Sequence, residues 1–158
     1  MLGSYSLVGP KEGEGNFGKY FHEVLKDDAY GEKSYEKAEF KMMHHTIAQA
    51  INSAGINVDD ISALFAGDLM NQIISSSFSA RALQVPYFGL FGACSTMAES
   101  LLLGACFVDG GFGEKVACAT GSHFSSAEKQ FRYPLELGTQ RPPSSQWTVT
   151  GMRSEERR

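Results

Sequence analysis

The sequence predicts an α/β fold in which helices cover a parallel sheet. Segments with apolar residues at helical spacing alternate with short, largely apolar runs along the chain. Each run is bounded by glycine, proline or polar residues, which is typical of strands that are buried on both faces of a parallel sheet. Such alternation favours right-handed crossovers, and it places ligand sites at the carboxyl ends of the strands.

The first half of the chain supplies two helices and two strands. Residues 1–35 are rich in glycine and charge, which predicts an irregular entry segment. Ser34 is a plausible N-cap for a helix whose apolar residues recur at helical spacing until Gly55. The pattern then predicts buried strands at 61–66 and 85–91, with a helix at 72–83 between them.

The second half begins with a turn that carries Cys94 and leads into a strongly apolar helix at 97–109. A third strand is predicted at 115–120, and the polar, proline-containing residues 124–147 predict mostly loop. A last strand begins at 147–151. We expect it to stop there, because the sequence continues as MRSEERR (152–158), which has no strand pattern. The domain is therefore expected to span 1–151, followed by a tail.

Composition limits the classes of function. The net charge of -4 gives no general attraction to nucleic acid or acidic lipid. No apolar run approaches the roughly 20 residues that span a bilayer, and the first residues do not resemble a signal peptide. The three cysteines form no CxxC pair, which favours free thiols over a zinc site. We expect a soluble, intracellular protein without a metal or cofactor, able to dock on a membrane protein.

Cys94 is the most informative candidate for chemistry. It lies between a strand and an apolar helix, two residues after a glycine that permits a tight turn. A cysteine at this place faces unpaired backbone N–H groups and the positive end of the helix dipole, which favour a thiolate. The same N–H groups suit a bound carboxylate, with Ser95 beside them as a further candidate ligand-binding residue. A buried structural cysteine is the alternative.

Asp68 and His123 also follow predicted strands, so sequence position groups them with Cys94 at one edge of the sheet. Each has a structural alternative. Asp68 could cap a helix or close a turn, which is the usual role of such an aspartate. His123 could act as a base or an anion partner, or it could be a hydrogen-bonded loop histidine.

Several stretches resemble a known family. The turn GACST at 92–96 resembles the nucleophile turn of the thiolase and ketoacyl synthase superfamily. More specific similarity to the stage V sporulation protein AD family is carried, in the expected order, by VGPKEGEG (8–15), FAGDLMNQ (65–72), PYFGLFGACSTMAES (86–100), VDGGFGEKVACATGSH (108–123), AEKQFRYPLELGTQRP (127–142) and TVTG (148–151).

The resemblance implies a thiolase-like fold of two similar halves, of which this chain would be the N-terminal one. Each half is expected to be a five-stranded mixed sheet in the order 3-2-1-4-5, covered by helices. The implied ligand is dipicolinic acid (pyridine-2,6-dicarboxylate) as its calcium chelate, and the implied role is its uptake into the developing spore. By the same resemblance, Cys94 matches the nucleophile position and Asp68 the aspartate of the AGD motif, and both would line the ligand pocket.

Two departures from the family pattern affect this expectation. By this resemblance the chain would have roughly half the family's length and would begin inside the first strand, and 152–158 would replace a continuation of small and apolar residues. We therefore expect incomplete first and last strands, and a non-family tail at 152–158. A truncated or inactive gene fragment is one alternative interpretation.

The resemblance favours a binding protein over an enzyme. In thiolase-type enzymes the catalytic histidine and asparagine come from the second half, which leaves His123 as the internal candidate base. The alternative is an acyltransferase with Cys94 as its nucleophile. The expected partners are membrane proteins of the same uptake system. The expected location is the cytoplasmic or forespore side, peripheral to the spore inner membrane, with self-association of the full-length protein.

Overall fold

The computed structural model describes residues 1–70, 73–127 and 148–157. Within these residues one sheet is built from β1 (Gly3–Val8), β2 (Glu23–Val24), β3 (Ala63–Asp68), β4 (Tyr87–Gly89), β5 (Val116–Ser122) and β6 (Gly151–Arg157). The helices are α1 (Pro10–Gly13), α2 (Tyr35–Ser53), α3 (Ile74–Leu83), α4 (Thr96–Asp109) and α5 (Phe124–Ala127). Short 3-10 turns occur at Gly18–Tyr20, Val58–Asp60 and Ala93–Ser95.

The strands lie in the order β2-β1-β6-β5-β3-β4. β6 runs antiparallel to both of its neighbours, and the remaining pairings are parallel. The mixed, mostly parallel α/β sheet is therefore confirmed. The expected five-stranded order 3-2-1-4-5, with the first strand at the centre, is wrong. β3 and β5 pair directly from Ala63↔Val116 to Asp68↔Gly121, and β1 lies beyond β6.

The observed order follows from the need of β3 for partners on both edges. All residues of β3 are buried, so its backbone groups must be paired within the protein. β4 pairs with one edge, and β5 pairs along the whole of the other. β6 then joins β5 to β1 with an antiparallel ladder on each side. These are long-range pairings, which the local sequence pattern does not encode.

β6 also corrects the expectation that the last strand stops near Gly151. The strand continues through residues that were expected to form a tail without strand structure. Pairing on both edges stabilises it despite its polar sequence, and Ser154 Oγ donates a hydrogen bond of 3.1 Å to the Cys118 carbonyl. On its other side β6 pairs with β1 at every residue from Gly3 to Val8.

One side chain of β6 is buried unfavourably. Glu156 is fully buried, and neither of its carboxylate oxygens has a hydrogen bond. Burial raises the pKa of Glu156, while the charges of Lys115 and the N-terminus oppose that rise. The backbone pairing of β6 therefore forms despite its polar sequence, and it leaves the Glu156 carboxyl group poorly solvated.

The helix predicted after Ser34 is confirmed as α2. The Ser34 hydroxyl accepts a hydrogen bond of 3.3 Å from the Lys37 N–H, and Gly55 follows the helix with a φ of 70°. The apolar side of α2 packs on one face of the sheet, against Leu7, Leu64 and Met152. A second core on the opposite face, beneath α4, is formed by Ala63, Phe65, Leu90, Val116 and Cys118.

The apolar helix predicted at 97–109 is confirmed as α4, but its orientation is unusual. Its small residues Thr96, Ser100 and Gly104 are buried towards the sheet. A Cβ on Gly104 would lie 2.9 Å from Cys118 Sγ, so glycine permits this close approach. Leu101, Phe107 and Val108 pack against the core beneath the helix, whereas Leu102 and Leu103 face outward, and Leu102 is 65% exposed. Exposed leucine side chains on one helix face form an apolar surface available for contact.

Candidate functional site

A cavity of about 500 Å³ lies at the carboxyl edge of the sheet. β3, β4 and β5 run parallel and end at this edge, and β6 starts there because Ser122 pairs with Gly151. The described residues that line the cavity are Leu69, Phe91, Ala93, Cys94, Met97, Thr120, Gly121, Ser122, Ala127, Thr148, Val149 and Gly151. The cavity therefore occupies the place where parallel sheets usually bind ligands.

Cys94 lines this cavity. It lies in the 3-10 turn directly before α4, and it is an exposed residue. The turn is held by hydrogen bonds from the Ser95 hydroxyl to the Gly92 carbonyl, at 2.8 Å, and from the Gly92 N–H to the Thr96 hydroxyl, at 3.2 Å. α4 begins without a side-chain cap at Ser95. The thiol is thus presented beside a helix N-terminus, as the sequence predicted.

The backbone at Ala93 is strained. Its φ of 50° lies in the left-handed region, which costs a residue with a Cβ roughly 1–2 kcal/mol. The strained residue directly precedes Cys94 and lines the same cavity. Strained backbone conformations are concentrated at functional sites, where the surrounding structure holds a side chain in one direction.

Asp68 is buried and bound to the first turn of α3. Its carboxylate accepts hydrogen bonds from the Ser76 N–H at 2.7 Å, the Ser76 hydroxyl at 2.6 Å and the Met70 N–H at 3.0 Å. Burial raises the pKa of Asp68, and the hydrogen bonds from Ser76 oppose that rise. The capping role that the sequence left open is observed, and Asp68 adjoins the cavity through its neighbour Leu69.

His123 is fully buried. The Ser125 N–H donates to its Nδ1 at 3.2 Å, so Nδ1 is the unprotonated nitrogen and Nε2–H donates to the Asp28 carbonyl at 2.8 Å. Burial lowers the pKa of His123, which favours this neutral form. Both nitrogens are used within the protein, and the preceding residue, Ser122, lines the cavity.

A second buried carboxyl lies close to the cavity wall. Glu39 of α2 is fully buried, and its Oε2 is hydrogen-bonded to the Ser126 hydroxyl of α5. Burial raises the pKa of Glu39 to about 8, Ser126 opposes the rise and the charge of Asp68 adds to it. Ala127, the next residue after Ser126, lines the cavity.

The chemistry of the cavity is apolar with hydroxyl groups. Phe91 and Met97 supply apolar surface, and Thr120, Ser122 and Thr148 supply hydroxyls. The Ser122 hydroxyl donates its hydrogen to the Val149 carbonyl at 2.6 Å, so its oxygen is left as an acceptor. None of the described lining residues is charged. The described lining therefore presents apolar surface and hydroxyl groups to the cavity.

The comparison with known proteins decides the family. The sequence model of the stage V sporulation protein AD (SpoVAD) family matches residues 1–154. The chain belongs to the SpoVAD family. It is 41% identical over 146 residues to stage V sporulation protein AD of Bacillus subtilis (strain 168). That match covers 92% of this chain and 43% of the relative, so the chain spans less than half of the relative's length.

Solved structures that resemble this SpoVAD chain show the fold. A crystal structure of Xanthomonas campestris OleA matches with a TM-score of 0.66 at 13% identity, over 99% of this chain and 54% of that one. The 3-oxoacyl-[acyl-carrier-protein] synthase III of Aquifex aeolicus VF5 matches with a TM-score of 0.65 at 14% identity, over 98% and 52%. The thiolase-like α/β fold expected from the sequence is confirmed.

Sequence reasoning missed part of the SpoVAD cavity. Thr120 and Ser122 stand at the carboxyl end of β5, the position that directed attention to His123, so the same signal could have identified them. Phe91 and Met97 were assigned to a strand and a helix and carried no polar signal. Thr148 and Val149 approach the cavity only because β6 lies beside β5, which sequence order does not reveal.

In the part of this SpoVAD chain that the structure describes, no group of three or more histidine, cysteine, aspartate or glutamate side chains is arranged to hold a metal ion. In the same part of the chain no helix combines the length and apolar character needed to cross a membrane.

Proposed function

We propose that this SpoVAD family member binds dipicolinic acid at the Cys94 cavity, without transforming it, for uptake into the developing spore. The observation that carries the proposal is the cavity itself, with Cys94 exposed beside the N-terminus of α4. Its volume of about 500 Å³ is in the usual range for small-molecule sites. Phe91 offers an apolar surface for an aromatic ring, and the helix N-terminus offers N–H donors to a carboxylate.

The charge of the cavity bears on the form of the ligand. Dipicolinate carries two negative charges at neutral pH, and the described lining residues include no cation to offset them. A calcium chelate of the dianion is neutral overall, so its entry into such a cavity carries a smaller desolvation cost. We therefore propose that the ligand is bound as the calcium chelate, with oxygen ligands supplied largely by dipicolinate itself.

The four candidate residues have different proposed roles. Cys94 would contact the ligand, and the turn bonded through Ser95 would hold it in place. Asp68 would position Leu69 at the rim by fixing the start of α3. His123 would position Ser122, since both of its ring nitrogens are already hydrogen-bonded.

Calorimetric titration of the full-length protein tests this proposal. We expect dipicolinate to bind more tightly with calcium present than with a chelator of calcium. Cys94→Ala should weaken binding several-fold while the backbone donors remain. Cys106→Ala is the matched control, because Cys106 is exposed on α4, the helix that follows Cys94, and lines a different groove. Equal affinity of the Cys94→Ala and Cys106→Ala variants would exclude Cys94 as a contact.

Acyl transfer is the second candidate function. One observation favours it: an exposed thiol at a helix N-terminus, in a fold shared with structures such as an OleA determined with lauric acid and lauroyl-CoA. One observation opposes it: His123, the candidate internal base, is fully buried and bonded to Asp28. Intact-mass measurement after incubation with a short acyl-CoA distinguishes the two functions, because acyl transfer requires an adduct on Cys94.

We also propose that the full-length protein self-associates and docks on membrane proteins of the same uptake system. Among the described strands β4 forms one edge of the sheet and β2 forms the other, and Phe88 of β4 is 46% exposed. An edge strand with an exposed aromatic residue supports contact with another chain. Light scattering of the full-length protein, alone and with those membrane proteins in detergent, measures both associations.

A further inference from the structure

The hydroxyl group of Ser126 has two oxygen neighbours in the protein interior. Its Oγ lies at hydrogen-bond distance from Glu39 Oε2 and 3.0 Å from the His123 carbonyl. A serine hydroxyl carries one hydrogen, so it can donate to one of these two oxygens. If Glu39 were ionised, both neighbours would be acceptors, and one contact would be left without a proton.

A protonated Glu39 resolves this conflict. The carboxyl O–H then donates to Ser126 Oγ, and the Ser126 hydroxyl donates to the His123 carbonyl. That carbonyl also accepts from the Ala127 N–H at 3.0 Å, so the two donors fill its two lone pairs. The result is a directional chain of hydrogen bonds from α2 to both ends of α5.

The surroundings of Glu39 agree with a neutral side chain. The groups that act on its charge are the carboxylates Asp68 and Glu36, both repulsive, and the hydroxyls of Ser126 and Ser75. None of them is a cation. Glu39 Oε1 is fully buried without a hydrogen bond, which costs much less for a neutral carboxyl than for a carboxylate. Burial raises the pKa of Glu39 to about 8, in the same direction.

α5 connects this chain of hydrogen bonds to the cavity. His123 directly precedes α5 and Ser126 lies within it. Ala127 at its end lines the Cys94 cavity, and the Phe124 N–H donates to the Thr150 hydroxyl of the segment that enters β6. We propose that Glu39 is a positioning residue that is neutral in the folded protein and holds α5 as the wall of the Cys94 cavity through Ser126. This inference concerns the protein without ligand, so it does not depend on dipicolinate being the ligand.

The experiment uses the full chain and three variants: Glu39→Gln, Glu39→Ala and Ser126→Ala. Glu39→Gln keeps a donor to Ser126, because the amide N–H replaces the carboxyl O–H. Difference infrared spectra between wild type and Glu39→Gln at about pH 6 report the C=O band of a protonated carboxylic acid. We expect that band in the wild type at about pH 6, and its loss at pH values well above 8.

Deuterium labelling of backbone amides followed by peptide mass spectrometry reports the cavity wall. The Ala127 N–H donates to the His123 carbonyl at α5, and the Gly110 N–H, which donates to the Cys106 carbonyl at the end of α4, serves as the internal standard in each sample. At neutral pH we expect the ratio of these two exchange rates to be equal for wild type and Glu39→Gln. Glu39→Ala and Ser126→Ala should raise the Ala127-to-Gly110 ratio about fivefold, which is what the loss of one hydrogen bond gives in an opening equilibrium.

Either of two results would overturn the inference. One is the absence of the protonated-acid band in the wild type. The other is labelling in Glu39→Gln that matches Glu39→Ala. Neither measurement involves dipicolinate, so a failure of dipicolinate to bind would count against the proposed function and leave this inference standing.

Discussion

The carboxylate of Asp68 accepts a hydrogen bond of 2.7 Å from the backbone N–H of Ser76, which joins the end of β3 to the first turn of α3. α3 has no cap of its own, since Ile73 at its N-cap position makes no side-chain hydrogen bond. Asp68, at the end of the neighbouring strand, therefore takes the place of a helix cap for α3. The aspartate that the sequence marked as a ligand candidate has a structural role that can be tested separately.

Asp68→Ala should destabilise the protein by about 3 kcal/mol, because it leaves the buried donors of Ser76 and Met70 without an acceptor. Asp68→Asn should cost less, since its amide keeps one acceptor oxygen. Urea unfolding of the three proteins gives the free energies of unfolding. If Asp68→Ala unfolds like the wild type but loses dipicolinate binding, Asp68 contacts the ligand and does not cap α3.

Ala93→Gly should relieve the left-handed strain before Cys94. Glycine adopts a φ of 50° freely, so we expect the free energy of unfolding to rise by about 0.5–1 kcal/mol. Ala105→Gly, in the interior of α4, is the control and should lower it by about 1 kcal/mol. Thermal melting compares the two variants with the wild type. A loss of stability in Ala93→Gly as large as in the control would mean that the turn carries no strain.

Buried Glu39 gives a stability that depends on pH. Its folded-state pKa of about 8 lies above the ordinary value of 4.5, so the folded state binds more protons between these two values. Stability is therefore greatest below about pH 4.5 for this group and falls as the pH rises towards 8. The loss is several kcal/mol, since each pKa unit of difference corresponds to about 1.4 kcal/mol.

Burial shifts Asp68 and Glu156 in the same direction, so the wild-type profile contains their contributions too. Denaturant unfolding between about pH 5 and pH 8, for wild type and Glu39→Gln, isolates the contribution of Glu39 by difference. We expect a shallower decline in Glu39→Gln. Parallel profiles would show that Glu39 titrates normally.

The sequence predicted the parts of this molecule that depend on neighbours along the chain. A local backbone conformation was predicted at Ser34, at Gly55 and in the turn at Cys94, and each of these predictions is confirmed. The order of the strands depends on which edges pair, and no residue in β6 indicates that it will lie between β5 and β1. Thr148 and Thr120 line the same cavity only after that pairing, so they could not be grouped from the sequence.

Buried carboxyl groups show a second reason why the sequence did not predict the whole structure. Because they are glutamates, Glu39 and Glu156 would be expected at the protein surface. Their burial is imposed by the helices and strands around them. Within α2, Glu39 follows the buried Ala38. Helical periodicity therefore does not by itself show that Glu39 faces inward, and it does not identify a polar partner for its carboxyl group. That partner, Ser126, lies far along the chain on α5.

The outward face of α4 predicts self-association of the 158-residue chain. Leu102 is 65% and Leu103 39% exposed, and the adjoining groove includes Phe112, which is 76% exposed. Together they form an apolar surface of the kind that drives association between chains. This expectation rests on the exposed face of α4. It does not rest on a missing central strand, because every residue of β1 pairs with β6.

Light scattering across a range of protein concentrations measures the association, with Leu102→Glu as the test variant. Burial of a leucine side chain contributes about 1.5–3 kcal/mol, so a charge at this position should weaken association tenfold or more. Phe17→Glu is the matched control, because Phe17 is 71% exposed and lies between α1 and β2, away from α4. It should leave the concentration dependence unchanged. A wild-type chain that stays monomeric at every concentration, or a Phe17→Glu variant that dissociates as readily as Leu102→Glu, would show that α4 does not mediate the contact.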